Sequence, residues 1–170
     1  MIGSPKLDRI DINILAQLQA NSGMTNVKLA DAVGLSPSPC LQRVKRLEKA
    51  GYIRGYQARL NVSKLVENIL VFTEVTLSDH RRDDFITFER EIVKVENLQE
   101  LHLVSGGYDY LLKFSVRNVG HYQDVITRIL EQRIGVDKYF SYIVIRTLLD
   151  RGHVPLRSLI ADDRSDGAED

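Results

Sequence analysis

The chain has 170 residues, 44% of them hydrophobic and 27% charged, with Cys40 its single cysteine. Such a composition describes a folded soluble chain of one domain or two small ones; it excludes disorder of the whole, and one cysteine excludes an internal disulfide. The formal net charge of zero hides an asymmetry, because residues 1 to 60 hold 9 Lys and Arg against 4 Asp and Glu, and the remainder 14 against 19. A basic unit of net +5 precedes an acidic one of net −5. Only the first is suited to a polyanion, since Lys and Arg neutralise phosphate. No apolar run reaches the roughly 18 residues of a membrane span. From Lys6 onward the chain is polar and charged, without a secretory signal, so a cytoplasmic location is expected.

In the basic unit, Leu7, Ile10, Ile14, Leu15 and Leu18 form one helical stripe, which ends by Gly23. A second helix starts after Thr25 as N-cap, carries Val27, Ala30 and Val33 inward, and stops at Gly34. The third starts at Ser36 with Pro37 in the first helical position, buries Leu41, Val44 and Leu47, and ends at Gly51. Two short helices joined by the turn Val33-Gly34-Leu35-Ser36 make a helix-turn-helix, whose second helix enters the major groove. On that reading Ser38, Gln42, Arg43, Lys45, Arg46 and Lys49 point outward or sideways, with Thr25 and Ser36 at the helix starts. Ser38, Gln42 and Arg43 are expected nearest the bases, and Lys45, Arg46 and Lys49 at phosphates. Periodicity alone also allows a three-helix packing unit with a charged surface.

After a linker over residues 61–68, Ile69 to Leu77 reads as a strand and Arg82 to Lys94 as a helix with Phe85, Phe88, Ile92 and Val95 on one stripe. Leu98 to Ser105 and Tyr108 to Val116 read as two strands joined by a two-residue turn at Gly106-Gly107. Tyr122, Ile126, Ile129 and Leu130 mark a second helix, and Tyr139 to Leu148 a last strand. The order βαββαβ is a ferredoxin-like domain, expected over residues 69–155, so the fold class is α+β. Several strands are apolar in both alternating sets, whereas two helices cover one face. The other face is expected against a second copy in a two-fold dimer. Residues 156–170 read as a flexible acidic tail.

A family resemblance rests on specific residues: Leu7-Asp8-x-x-Asp11-x-x-Ile14-Leu15, Leu29-Ala30, Val33-Gly34-Leu35-Ser36-Pro37-x-Pro39-Cys40, Arg43-Val44-x-Arg46-Leu47-Glu48 and Gly51-Tyr52-Ile53-x-Gly55-Tyr56. These resemble the Lrp/AsnC family of feast/famine transcription regulators, most densely its leucine-responsive members. Met24 departs from the pattern, standing where many members carry a basic residue. The resemblance implies a winged-helix-like DNA-binding domain, a ferredoxin-like domain that dimerises and assembles into octamers or similar rings, and an amino-acid effector, leucine or another small one. It implies double-stranded DNA as partner and no enzymatic activity.

An amino-acid effector needs an anion for its ammonium, hydroxyl or backbone N–H donors for its carboxylate, and an apolar wall. Asp109 offers the first, Ser105, Gly106 and Gly107 the second, and Leu103, Ile143 and Val144 the third. The bland alternative is a hairpin turn with a solvated Asp109. His80, His102, His121 and His153 lie far apart, without metal-ligand spacing, and no phosphate loop or nucleophile motif occurs. No cofactor or metal is therefore expected. A ligand-independent architectural DNA-binding protein, and an enzyme or its regulatory subunit, remain as rival readings.

Overall fold

A computed structural model describes residues 6–162. The chain forms two compact units. One comprises residues up to 60 together with those from 149 onward; the other spans residues 61–148.

The helical unit contains α1 (Arg9–Ala20), α2 (Asn26–Val33) and α3 (Pro37–Lys49). A reciprocal cap starts α1: the Asp11 N–H donates to Asp8 Oδ1 at 2.8 Å and the Asp8 N–H to Asp11 Oδ2 at 3.1 Å. Thr25 caps α2, its Oγ1 accepting from the Lys28 N–H at 3.4 Å, and Gly34 ends that helix at φ 71°. Only a residue without Cβ takes that left-handed conformation freely. Asn26 Nδ2 donates to the Pro37 carbonyl at 2.8 Å, which ties the start of α2 to the start of α3.

Ile14, Leu29, Ala30, Cys40, Val44 and Leu47 are buried together. Two expectations are corrected here. Cys40 lies inside and Leu41 is 42% exposed, and Leu29 is buried while Val27 is 56% exposed. Positions 40, 44 and 47 make a helical stripe as regular as 41, 44 and 47, and packing against α1 selects the former.

The segment from residue 149 returns to this unit. Arg59 Nη2 pairs with Asp150 Oδ2 at 3.0 Å, and Arg59 Nη1 donates to the Arg151 carbonyl at 3.0 Å. With its amide turned to satisfy both groups, Gln19 bonds the N–H and C=O of Val154 at 2.9 and 3.2 Å. A helix, α6 (Leu156–Asp162), follows and packs on α1. Residues 156–162, expected as part of a flexible tail, are thus helical. Leu156 and Ile160, one helical turn apart, are both partly buried. The tail expectation for residues 163–170 lies outside the described residues.

The second unit opens with a single 3-10 turn, Val62–Lys64, and continues as β1 (Ile69–Leu77), α4 (Arg82–Ile92), β2 (Leu98–Leu103), β3 (Tyr110–Val116), α5 (Val119–Glu131) and β4 (Val136–Ile143). The sheet order is β2-β3-β1-β4 with every neighbouring pair antiparallel, the ferredoxin-like arrangement. Val71, Val75 and Leu77 of β1 join Tyr110, Leu112, Phe114 and Val116 of β3 beneath Phe88 and Ile92 of α4 and Tyr122, Val125, Ile126 and Ile129 of α5. Buried Thr73 is satisfied by the Tyr122 hydroxyl at 2.7 Å.

Two strand boundaries differ from expectation. β4 starts at Val136 and stops at Ile143, and β2 and β3 are joined by six residues, 104–109, rather than by Gly106-Gly107 alone. The loop is closed by the Val104 N–H donating to the Asp109 carbonyl at 2.9 Å, and Gly106 takes φ 149°. The opposite sheet face presents Leu70, Phe72, Leu111, Phe140 and Tyr142 around Glu74 and Lys113, with Phe140 62% and Tyr142 53% exposed. Neither α4 nor α5 covers it, as the double apolar alternation of the strands implies.

Candidate nucleic-acid interface and effector site

The outward residues of α3 divide by what their charges do. Ser36, Ser38, Gln42, Lys45 and Lys49 are exposed, and Ser36 makes no side-chain cap bond. Thr25 is exposed and caps α2. Arg43 and Arg46 are engaged within the unit instead. Arg43 Nη1 bonds Asp8 Oδ2 at 2.6 Å and Asp11 Oδ1 at 2.9 Å, and Arg46 Nη2 bonds Asp11 Oδ2 at 2.5 Å. The Asp11 side chain is fully buried, so its charge depends on these two guanidinium groups. Arg43, its side chain 27% exposed, clamps α3 to α1 through these pairs.

The Asp11 N–H and the Arg43 guanidinium hold the Asp8 carboxyl below its ordinary value of 3.8. On the other side of α3, the Tyr56 hydroxyl donates to Glu48 Oε1 at 2.7 Å, and burial with that carboxylate pushes the phenol up to about 12. Glu48 is thus committed to Tyr56. The sequence reading missed Asp8 and Asp11 as partners of the arginines. Their four-residue motif was visible, but the contact spans 32 to 35 positions.

In the sheet unit the six-residue loop carries Ser105, Gly106 and Gly107 at the surface, with Leu103 62% exposed just before it. Asp109 is not a solvated strand residue. Its N–H donates to the Val75 carbonyl at 2.9 Å, and its Oδ2 accepts from the Leu77 N–H at 2.8 Å. His80 Nε2 stands 3.0 and 3.1 Å from the two carboxylate oxygens, and the Asp109 side chain is left 15% exposed. Next to it, the Tyr110 hydroxyl donates to Glu89 at 2.8 Å, and burial followed by that carboxylate raises the phenol's pKa.

The structure therefore gathers Leu103, Ser105, Gly106, Gly107 and Asp109 around one loop. It does not bring Ile143 and Val144 to them within the chain. Ile143 pairs with Val71, whereas Leu103 pairs with Tyr110, which pairs with Val75. Four strand residues separate the two levels, about 13 Å. The antiparallel course of β4 puts its end beside the start of β1, so within one chain these residues stand apart from the loop. His80 was set aside in the sequence because the four histidines lie far apart, without metal-ligand spacing.

Among the described residues, no cluster of three or more His, Cys, Asp or Glu could hold a metal ion, and no helix is long and apolar enough to cross a membrane.

Comparison with known proteins addresses both units. A winged helix-turn-helix DNA-binding family matches residues 7–54, and the Lrp/AsnC ligand binding domain matches residues 70–154. The leucine-responsive regulatory proteins of Salmonella typhimurium and Escherichia coli are each 42% identical over 152 residues, covering 89% of this chain and 93% of theirs. The chain belongs to the Lrp/AsnC family. Among solved Lrp/AsnC-like structures, a Neisseria meningitidis transcriptional regulator in complex with L-Met superposes with a TM-score of 0.84 at 32% identity, over 91% of this chain and 99% of that one. An AsnC family transcriptional regulator from Agrobacterium tumefaciens gives 0.84 at 27% identity, over 90% and 99%. As a member of Lrp/AsnC, this protein is a helix-turn-helix transcription regulator and not an enzyme. The Lrp/AsnC ligand-binding match spans β1 to β4 and ends inside the returning segment at Val154.

Proposed function

We propose that this chain regulates genes of amino-acid metabolism by binding DNA through α3 as a symmetric oligomer whose behaviour changes when a small amino acid reaches Asp109. The observation that carries this reading is the partly exposed Asp109 carboxylate beside Gly106, Gly107 and Ser105, inside a domain matched as ligand-binding. A carboxylate with nearby N–H and hydroxyl donors is complementary to an α-amino acid zwitterion. The relatives are named leucine-responsive, and one similar structure holds L-Met, so leucine and methionine are the first candidates.

At the DNA end, Gln42 and Ser38 are assigned to base edges, and Lys45, Lys49, Ser36 and Thr25 to phosphates. Arg46, its side chain 47% exposed, contributes to the phosphate field from its place on Asp11. Such work belongs in the cytoplasm. One short helix reads few base pairs, so two must act together. The open apolar sheet face is assigned to a homodimer, with octamers built from it. Ile143 and Val144 can then meet an effector only from another copy.

Fluorescence anisotropy on promoter fragments, run beside calorimetry with each common amino acid, tests the proposal. Expected are a measurable heat for at least one amino acid and a change in DNA affinity or stoichiometry in its presence. DNA binding without heat from any amino acid would favour a ligand-independent architectural protein instead.

A further inference from the structure

We propose that His80 is a built-in competitor for the effector's ammonium group, holding the Asp109 carboxylate closed until a ligand displaces it. The inference rests on Asp109 being the ammonium site. An ionised carboxylate is an acceptor with about four lone-pair directions. The Leu77 N–H occupies one at 2.8 Å, and His80 Nε2 straddles both oxygens at 3.0 and 3.1 Å. That is where the donors of an ammonium would sit. The Asp109 side chain keeps 15% of its surface, while the ring over it is 57% exposed.

His80 is also placed to move. It lies in the connector between Leu77 and Arg82, outside helix and strand, with Ser78 anchored to the Gly135 carbonyl at 2.8 Å on one side. On the other side the Arg81 N–H donates to Asp84 Oδ2 at 3.1 Å. The ring also lies near the Phe85 ring, at a centroid distance of 5.9 Å and tilted by 53°. Rotation about the His80 side-chain bonds therefore uncovers Asp109 without breaking any sheet or helix hydrogen bond. A site open for a fraction of the time binds with its intrinsic affinity reduced by that fraction. The reduction applies to ligands that place a cation on Asp109, and spares those that do not.

The test is calorimetry on the full chain with L-leucine, L-methionine and 4-methylpentanoate, which is leucine without its amino group. Wild type, His80→Ala and Asp109→Asn are compared. His80→Ala is expected to bind its amino acid roughly five- to tenfold more tightly, with no gain for 4-methylpentanoate. An unchanged amino-acid affinity in His80→Ala overturns the inference, as does an equal gain for 4-methylpentanoate, which would mean general opening of the pocket. Asp109→Asn separates the two levels. It retains an acceptor for Leu77 and is expected to lose amino-acid binding; if it does while His80→Ala is silent, the site stands and the His80 role falls. Wild-type affinity in Asp109→Asn, or no binding in any of the three proteins, removes the site and the His80 inference together.

Discussion

The buried carboxylate of Asp11 decides how the DNA-binding unit responds to substitution. Replacing Arg43 and Arg46 together by alanine leaves the buried Asp11 carboxyl without its two cationic partners, at an expected cost of about 3–5 kcal/mol. Asp11→Ala is milder, about 1–3 kcal/mol, because both arginine side chains are part-exposed and can rehydrate. Urea denaturation followed by circular dichroism checks the order of the two. Equal costs would show that Asp11 carries no buried-charge penalty once the arginines are gone. Lost DNA binding in the double arginine variant therefore reports unfolding as well as recognition. Asp8 adds a pH dependence. Its folded pKa is lowered, first by the Asp11 N–H and then by Arg43, so its contribution is present above the ordinary value of 3.8. It is lost as pH falls through the lower folded value. In acid titrations, Asp8→Asn should flatten the stability loss below the ordinary value of 3.8 relative to wild type; parallel curves would contradict the assignment. The residue types of the recognition helix were legible in the sequence. Which of its cations were already committed was not, because the partners lie a whole helical hairpin away.

At the scale of elements, α3 now offers a narrower reading face than its composition suggests. Lys45 and Lys49 are its exposed lysines, with no partner within the helix. If each neutralises one phosphate, Lys45→Ala and Lys49→Ala should each lower the slope of log affinity against log salt by about 0.9. Anisotropy titrations at several salt concentrations measure this, and an unchanged slope would remove that lysine from the interface. The helix positions themselves were legible from periodicity and caps, since Thr25, Pro37 and Gly34 act where local chemistry places them and Ser36 holds the N-cap position without a side-chain bond. Rotation of α3 by one residue was not legible, because Cys40 and Leu41 are both apolar and only packing with α1 and α2 distinguishes them. The loop between β2 and β3 was misjudged for a related reason. Two glycines signal a tight turn, but the Asp109 bonds to Val75 and Leu77 hold that residue at the end of β1 and lengthen the loop to six residues.

For the whole molecule, the open sheet face and the returning C-terminal segment matter most. Phe140→Glu with Tyr142→Glu would place two charges on the apolar face assigned to the dimer. Sedimentation velocity should then show a shift toward monomer and anisotropy a weaker hold on two-half-site DNA, and an unaltered oligomer would exclude that face. The βαββαβ order and one bare face could be read from alternation, whereas the return of Leu149–Asp162 to the helices could not. Its partners Arg59 and Gln19 lie about ninety or more positions earlier, and its apolar residues are too few to mark a helix on their own. That return sets an order of events on the ribosome. The first three helices are synthesised, then the entire sheet unit, and only afterwards the residues that complete the contacts on α1 and Arg59. The reading half of the molecule is thus begun first and finished last, so a nascent chain interrupted after β4 would carry a whole sheet unit and an incomplete DNA-binding one.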